Sequence, residues 1–359
     1  MDRKRSVETA VFASLIALML LVLPLVVPSG AVLFSADRAY MENNSLFADD
    51  GEEEQYVEEE LPEEDAKEAG KTLVLSAGGG SSPEAAEPAA LPMDFSAGPV
   101  PNPAGFTENG YQDESITVSM EHREIDGSLY HVARVKIAHP SQLRTALAAP
   151  IGTKKTNKTS TLARNNNAVV AMNADIYTNK DKGNYLYVVR QGETILFPPK
   201  DKGSLHVLII DSKGDFHILT EDKMNRFARM KEDKDNPILQ AFTFGPALVV
   251  DGAVAPMPEP YMFDIRGRNP RAAIGQTGPL EYVLVVVDGR ISESKGITAE
   301  TLANFMLELG CVQAFNMDGG NSSALIFNNA FYSHDKTKSE RSTSDILYFA
   351  SAVDPASWQ

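Results

Sequence analysis

Four polar clusters in this chain carry residue types that do chemistry, and each lies beside an apolar run. The densest is Asn316-Met317-Asp318-Gly319-Gly320-Asn321-Ser322-Ser323. Its adjacent glycines let backbone come close to a ligand, and successive N–H groups in such a turn can form an anion nest. Asp318 would face the same place, with Ser322 and Ser323 adding hydroxyls. Asp288-Gly289-Arg290 closes the strongest apolar run, Val283–Val287. Asn173-Ala174-Asp175 follows Ala168–Met172. Asparagine offers a donor and an acceptor; aspartate can orient a sugar hydroxyl, bind a metal or act as a base. Arg266-Gly267-Arg268-Asn269-Pro270-Arg271 gathers three guanidinium groups, which bind phosphate bidentately. Each cluster also has a plain reading as a turn or a solvated charged loop. A pocket at strand ends needs polar groups where these lie.

The elements that must position these clusters are mostly strands. Residues 130–138 alternate apolar and polar side chains, as a half-buried strand does. Ala168–Met172 reads as a short buried strand. Further strands are predicted at 185–190, 193–197, 205–211, 215–219, 246–251, 271–276, 281–287, 312–317, 322–327 and 345–351. Gln191-Gly192, Lys213-Gly214 and Asp251-Gly252 supply turns between them. Thr159–Arg164 is a candidate short helix. A clearer helix starts at the cap Thr298, carries Leu302, Phe305, Met306 and Leu309 on one face, and stops at Gly310. The expected fold class is α+β: a single strand-rich, mixed-sheet domain with a few helices over residues 113–359.

The chain has 359 residues and a formal net charge of −16, which argues against a nucleic-acid binder. That charge is unevenly placed, since residues 42–68 hold thirteen acids and a single base. Charge of one sign at that density predicts a disordered, extended spacer. Before it, residues 1–8 carry Arg3, Lys4 and Arg5, and residues 9–27 are uncharged and apolar. Nineteen residues at about 1.5 Å rise approach the thickness of a bilayer, so 9–27 is predicted to be a transmembrane signal anchor. The basic flank places the N-terminus in the cytoplasm and the rest outside the cell membrane, or secreted if the anchor is cleaved. Residues 28–112, acidic and then rich in proline, alanine and glycine, read as a tether.

The lone cysteine, Cys311, excludes an intrachain disulfide framework and a cysteine-rich zinc site. It follows the helix stop inside an apolar run, which predicts a buried, inert thiol. The six histidines show no metal-ligand spacing and read as strand or surface residues. Neither G-x-S-x-G nor H-E-x-x-H occurs.

Taken together, the clusters resemble the phosphodiester glycosidase family over roughly residues 165–351. The resemblance rests on Asn173-Ala174-Asp175-Ile176-Tyr177, Phe244-Gly245-Pro246-Ala247-Leu248, Arg268-Asn269-Pro270-Arg271-Ala272-Ala273-Ile274-Gly275, Asp288-Gly289-Arg290, the octet at 316–323 and Glu340-Arg341. Their order and spacing around the helix at 298–309 make the joint match specific. This chain departs from the family pattern in Asn321 for glycine, Ala272 for threonine and Ile176 for an aromatic.

The resemblance implies a hydrolase that cleaves a sugar-1-phosphodiester, of the N-acetylglucosamine-1-phosphate type, at the anomeric C–O bond. Asp288, Asp318 and Asp175 would be catalytic. Asn173, Arg268, Arg271, Arg290, Asn316, Gly319, Gly320, Asn321, Ser322, Ser323 and Arg341 would bind substrate. No cofactor and no metal are expected. The expected partners are a sugar-phosphate or cell-wall glycan, and the membrane through residues 9–27. Two other readings stay open. One is a non-catalytic glycan-binding module serving exopolysaccharide assembly. The other is a phosphodiesterase holding a hard cation with Asp175, Asp288 and Asp318.

Overall fold

The computed structural model describes residues 90–153, 155–175, 186–200, 205–336 and 339–358. The predicted anchor at 9–27 and the acidic run at 42–68 lie outside the described residues, as do Ile176 and Tyr177. Among the described residues no helix is long and apolar enough to cross a membrane.

The strand Glu281–Val287 organises the domain, and Tyr282–Val287 are buried without a break. Alternation along a strand sends Tyr282, Leu284 and Val286 into one core and Val283, Val285 and Val287 into another. A strand apolar on both faces has to be covered on both. It lies in a nine-stranded sheet in the order Phe106–Thr107, Gly110–Gln112, Ile116–Ile125, Ser128–Ile137, Glu281–Val287, Arg271–Gly278, Gln313–Met317, Ala247–Val250, Ala253–Val254. One face packs against Leu302, Phe305 and Met306 of the helix Ala299–Glu308. The other meets side chains of two five-stranded sheets. One of these, the outer sheet, runs Ala330–Phe331, Leu325–Phe327, Val170–Asn173, Asp345–Phe349, Leu143–Leu147. The second, the side sheet, runs Phe216–Leu219, Val207–Asp211, Ile238–Phe242, Val188–Arg190, Glu193–Leu196.

The predicted strands recur within a few residues of their expected bounds. Thr298 caps its helix, its side chain accepting from Thr301 N at 3.1 Å. Cys311 is buried, and burial pushes its thiol up to about 12. The mixed sheet is a correction: among the described residues every strand pairing within these three sheets is antiparallel. The strands before and after the helix 299–308 do run the same way, but Arg271–Gly278 lies between them and pairs with both.

Among the described residues four elements of five residues or more escaped the sequence reading: Ile116–Ile125, Leu143–Leu147, Ile238–Phe242 and the helix Lys223–Glu232. That helix buries only Lys223 and Phe227, so it shows no apolar stripe.

The domain also begins earlier than residue 113. Residues 106–107 and 110–112 are strands, and the segment before them is pinned by Arg144, which is 1% exposed. Its guanidinium donates to Pro92 O at 2.8 Å, Asp94 O at 2.9 Å and Ser96 O at 3.1 Å. A buried guanidinium needs this many acceptors, and the segment 92–96 supplies them.

A second buried arginine joins the two five-stranded sheets. Arg190, in the side sheet, donates Nε to Asp345 Oδ2 at 2.6 Å and Nη2 to Asp175 Oδ2 at 3.3 Å. Its guanidinium lies 4.1 Å from the Phe242 ring centroid, and all three charged side chains are fully buried. Removing one member of such a group leaves charge uncompensated, which costs about 3–5 kcal/mol. Arg190→Ala should lower the urea-derived unfolding free energy by about that amount. A loss under about 1 kcal/mol, the worth of a surface pair, would show that the cluster does not hold the sheets together.

Candidate active site

The four clusters meet at one edge of the sheets because their strands end there. Asp288 follows Val287 and Asp318 follows Met317, while Arg271 opens the strand between them. In that register Arg271 pairs with Val287, and Ala272 with Met317. Pro270 is therefore held between two Asp-Gly corners. A Cβ on Gly289 would lie 2.8 Å from Pro270 N, and one on Gly319 would lie 2.9 Å from Pro270 O. Both positions need glycine for this approach.

Asn173 fastens the octet to the outer sheet. Its Nδ2 donates to Asp318 O at 2.6 Å, and its Oδ1 accepts from Ala324 N at 3.0 Å. Asp318 N donates to Ala174 O at 3.3 Å beside it. The side chain expected to orient a sugar hydroxyl thus spans the two ends of the loop and is fully buried. Asn316 plays a similar part, donating Nδ2 to Gly245 O at 2.7 Å, which accounts for the Phe244-Gly245-Pro246 segment. Asn316 Oδ1 and Ser323 Oγ are buried and have no hydrogen-bond partner among the described residues.

The Gly320 N–H is turned inward, donating to Pro270 O at 2.9 Å. The octet is a self-bonded loop, with Ser322 N donating to Gly319 O and Ser323 N to Gly320 O, both at 3.3 Å. Asp318 keeps partial solvent contact. The protein around its carboxyl removes hydration and pushes its pKa up to about 6, with Asp175 adding to the rise. Ser322, Gly319 and Arg341 oppose that shift.

The three expected catalytic aspartates have different partners. Asp175 belongs to the buried Arg190 cluster and also accepts from Thr243 N at 3.1 Å. Asp288 is 4% exposed, accepts from His131 Nε2 at 2.5 Å, and receives His334 N at 3.2 Å. Among the described residues no group of three or more histidine, cysteine or acidic side chains could hold a metal ion.

The cations converge more than the acids. Arg271 is buried and donates to Ile297 O at 3.1 Å and Gly267 O at 2.9 Å. Burial, and Arg290 to a smaller degree, push its pKa down to about 10. Arg290 is exposed, takes a left-handed φ of 59°, and donates to Asn269 Oδ1 at 2.9 Å. Its Nη1 would lie 3.8 Å from a Cβ on Gly320, so it borders the loop. Lys336 donates to Ser323 O at 2.7 Å; burial lowers its pKa, and Arg290 again acts in that direction. Arg268 is exposed and turns toward Gly296 O at 3.3 Å. Arg341 is exposed on the Asp318 side, and Asn321 is half-buried with its carbonyl 3.4 Å from Lys336 Nζ.

Sequence reasoning missed His131, His334 and Lys336. Lys336 and His334 had no local signal. His131 had one, because His122 and His131 stand at equal distances from the Asp126-Gly127 turn and face each other across the hairpin.

Comparison with known proteins follows the same residues. The profile of the phosphodiester glycosidase family matches residues 166–350. A prophage-derived uncharacterized protein of Bacillus subtilis strain 168, YomE, is 35% identical over 107 residues, which is 30% of this chain and 17% of that protein. The catalytic domain of zebrafish N-acetylglucosamine-1-phosphodiester alpha-N-acetylglucosaminidase, in a form auto-inhibited by its pro-peptide, superposes with a TM-score of 0.51 at 17% identity. That superposition covers 74% of this chain and 99% of the zebrafish one. A hypothetical protein from Synechocystis gives a TM-score of 0.44 at 16% identity over 66% of this chain and 62% of its own. The sequence match spans just over half of the chain and contains all four clusters: the chain belongs to the phosphodiester glycosidase family.

Proposed function

We propose that the site hydrolyses a sugar-1-phosphodiester at the anomeric C–O bond. The observation that carries the reading is the gathering of Arg271 and Lys336 around Arg290 beside the octet loop. Arg290 depresses the pKa of both other cations, so it raises the cost of charge on each. A phosphate diester among them would relieve that cost.

In this reading water oxygen joins the anomeric carbon as the C1–O bond breaks, and the bonding pair leaves on the phosphomonoester oxygen. Such a leaving group needs little protonation, so the main tasks are phosphate neutralisation and support of an oxocarbenium-like centre. Asp318 serves as nucleophile or base, which requires its ionised form. Asp288 supports it from the strand end on the other side of Arg271. Asp175 and Asn173 act through placement: one anchors the outer sheet to Arg190, the other shapes the loop.

We place this activity outside the cell, on surface glycan or related phosphodiesters. The residues preceding the domain support this location through the uncharged stretch 9–27 and the acidic stretch 42–68.

Product analysis with a methyl diester of N-acetylglucosamine 1-phosphate should give free sugar and methyl phosphate. Release of N-acetylglucosamine 1-phosphate and methanol would mean P–O cleavage and end this reading. Activity should rise with pH through about 6 and level off above it, as Asp318 ionises. Asp318→Asn should cost about 10³-fold or more in kcat/KM. Its stability should move the other way. The raised pKa means that the folded state disfavours the charge, so stability falls as pH rises from the unfolded value of 3.8 through about 6. Asp318→Asn should therefore melt about 2–4 °C above wild type at neutral pH, and level with it near pH 4.

Gly319→Ala tests the corner itself. Its Cβ meets backbone rather than a flexible side chain, so about 1–3 kcal/mol of stability should be lost together with most of the activity. Wild-type melting and turnover in that variant would show that the loop does not depend on contact with Pro270.

A further inference from the structure

A run of three side chains leads from the surface to Asp288. His131 Nε2 lies 2.5 Å from Asp288 Oδ2, and His131 Nδ1 lies 2.7 Å from His122 Nδ1. His131 and Asp288 are buried, while His122 is exposed. The His122 ring stacks on Tyr332 with centroids 4.0 Å apart and planes 11° from parallel. Ser128–Ile137 and Ile116–Ile125, which carry the two histidines, both lie outside the 166–350 family match.

The chemistry of these atoms gives the chain one polarity. A carboxylate only accepts, so Nε2 of His131 carries the hydrogen. A neutral His131 then has a bare Nδ1, and His122 must present its own Nδ1–H to it. The reverse tautomer of His131 would set a lone pair against the carboxylate. Two cationic rings would bring two N–H groups together at 2.7 Å. The other groups around the chain leave this order intact. Lys336 and Arg290 stand beyond Asp288, His334 offers its backbone N–H, and Glu108 and Glu121 lie past Tyr332. Burial and the neighbouring His131 hold the His122 pKa down, in keeping with a neutral His122 ring.

We propose that His131 is the positioning residue for Asp288 and that His131, its own tautomer set by the carboxylate, sets the tautomer of His122. The backbone of Asp288 is already fixed, by N–H to Leu129 O at 3.0 Å and by Ser294 Oγ to its carbonyl at 2.6 Å. What remains free is rotation of the carboxyl, and His131 with the His334 N–H removes it. The imidazole also compensates a charge that burial would otherwise make costly. A tautomer fixed by the group behind it is a known way to hold a histidine in one orientation. This rests on the reading that Asp288 serves the sugar–phosphate site.

The test separates the two claims. Nitrogen-15 NMR of the histidine-labelled full chain reads protonation without substrate. Neutral His131 should be Nε2–H with bare Nδ1 and neutral His122 should be Nδ1–H, and His131→Ala should turn His122 into a mixture of tautomers. An Nδ1–H His131, or a His122 tautomer unchanged in His131→Ala, overturns the proposal. Turnover of the methyl diester comes second. His131→Ala should lower kcat about 100-fold and leave KM within about threefold. His131→Gln, which keeps a donor toward Asp288, should recover at least about tenfold of that loss. If His131→Ala folds and works like wild type, or if Gln recovers nothing, the proposal falls. A wild-type chain that cleaves no sugar-1-phosphodiester defeats the functional reading, and the NMR result then decides the histidine chain alone.

Discussion

The structure depends on how the Arg190 guanidinium is satisfied. A fully buried cation is tolerated only where acceptors converge on it. Here the carboxylates of Asp175 and Asp345 and the Ala241 carbonyl do so, with the Phe242 ring beneath. Those groups come from two different sheets. The charge therefore sets the distance between the sheets, and with it the position of Asn173, two residues before Asp175. Asn173 in turn sets the height of the octet against Pro270. The geometry of the reacting edge follows from a charge with no access to solvent.

Much of this was legible in the residues. Alternating burial of Tyr282–Val287 follows from an uninterrupted apolar run, and the helix after Thr298 from its spacing. The clusters were legible through their order and spacing around the helix at 298–309, since each by itself reads equally as a turn. Their side-chain roles were less so. Nothing local distinguishes an Asn173 that binds sugar from one that bonds to Asp318 O and Ala324 N, about 150 residues away in sequence. Asp175 likewise looks like a surface carboxylate until Arg190 is beside it. Contacts between distant segments carry this information, and a single sequence does not display them.

The site also has two origins. The strand ends, the octet and Arg290 fall within the family match, whereas His122 and His131 belong to a hairpin before it. The hairpin pairs with Glu281–Val287 along its full length, residue Val286 opposite His131. A long register of this kind places an imidazole beside Asp288 as reliably as a local motif would.

Arg144 bears on mechanics. Its bonds to Pro92, Asp94 and Ser96 lie where the chain enters the domain, on the edge strand Leu143–Leu147. A pull applied upstream of residue 90 would load this guanidinium before it reached any strand around Asp288 or Asp318. Several hydrogen bonds to one rigid group share such a load, so the entry point acts as a strain relief for the edge that carries Asp288 and Asp318.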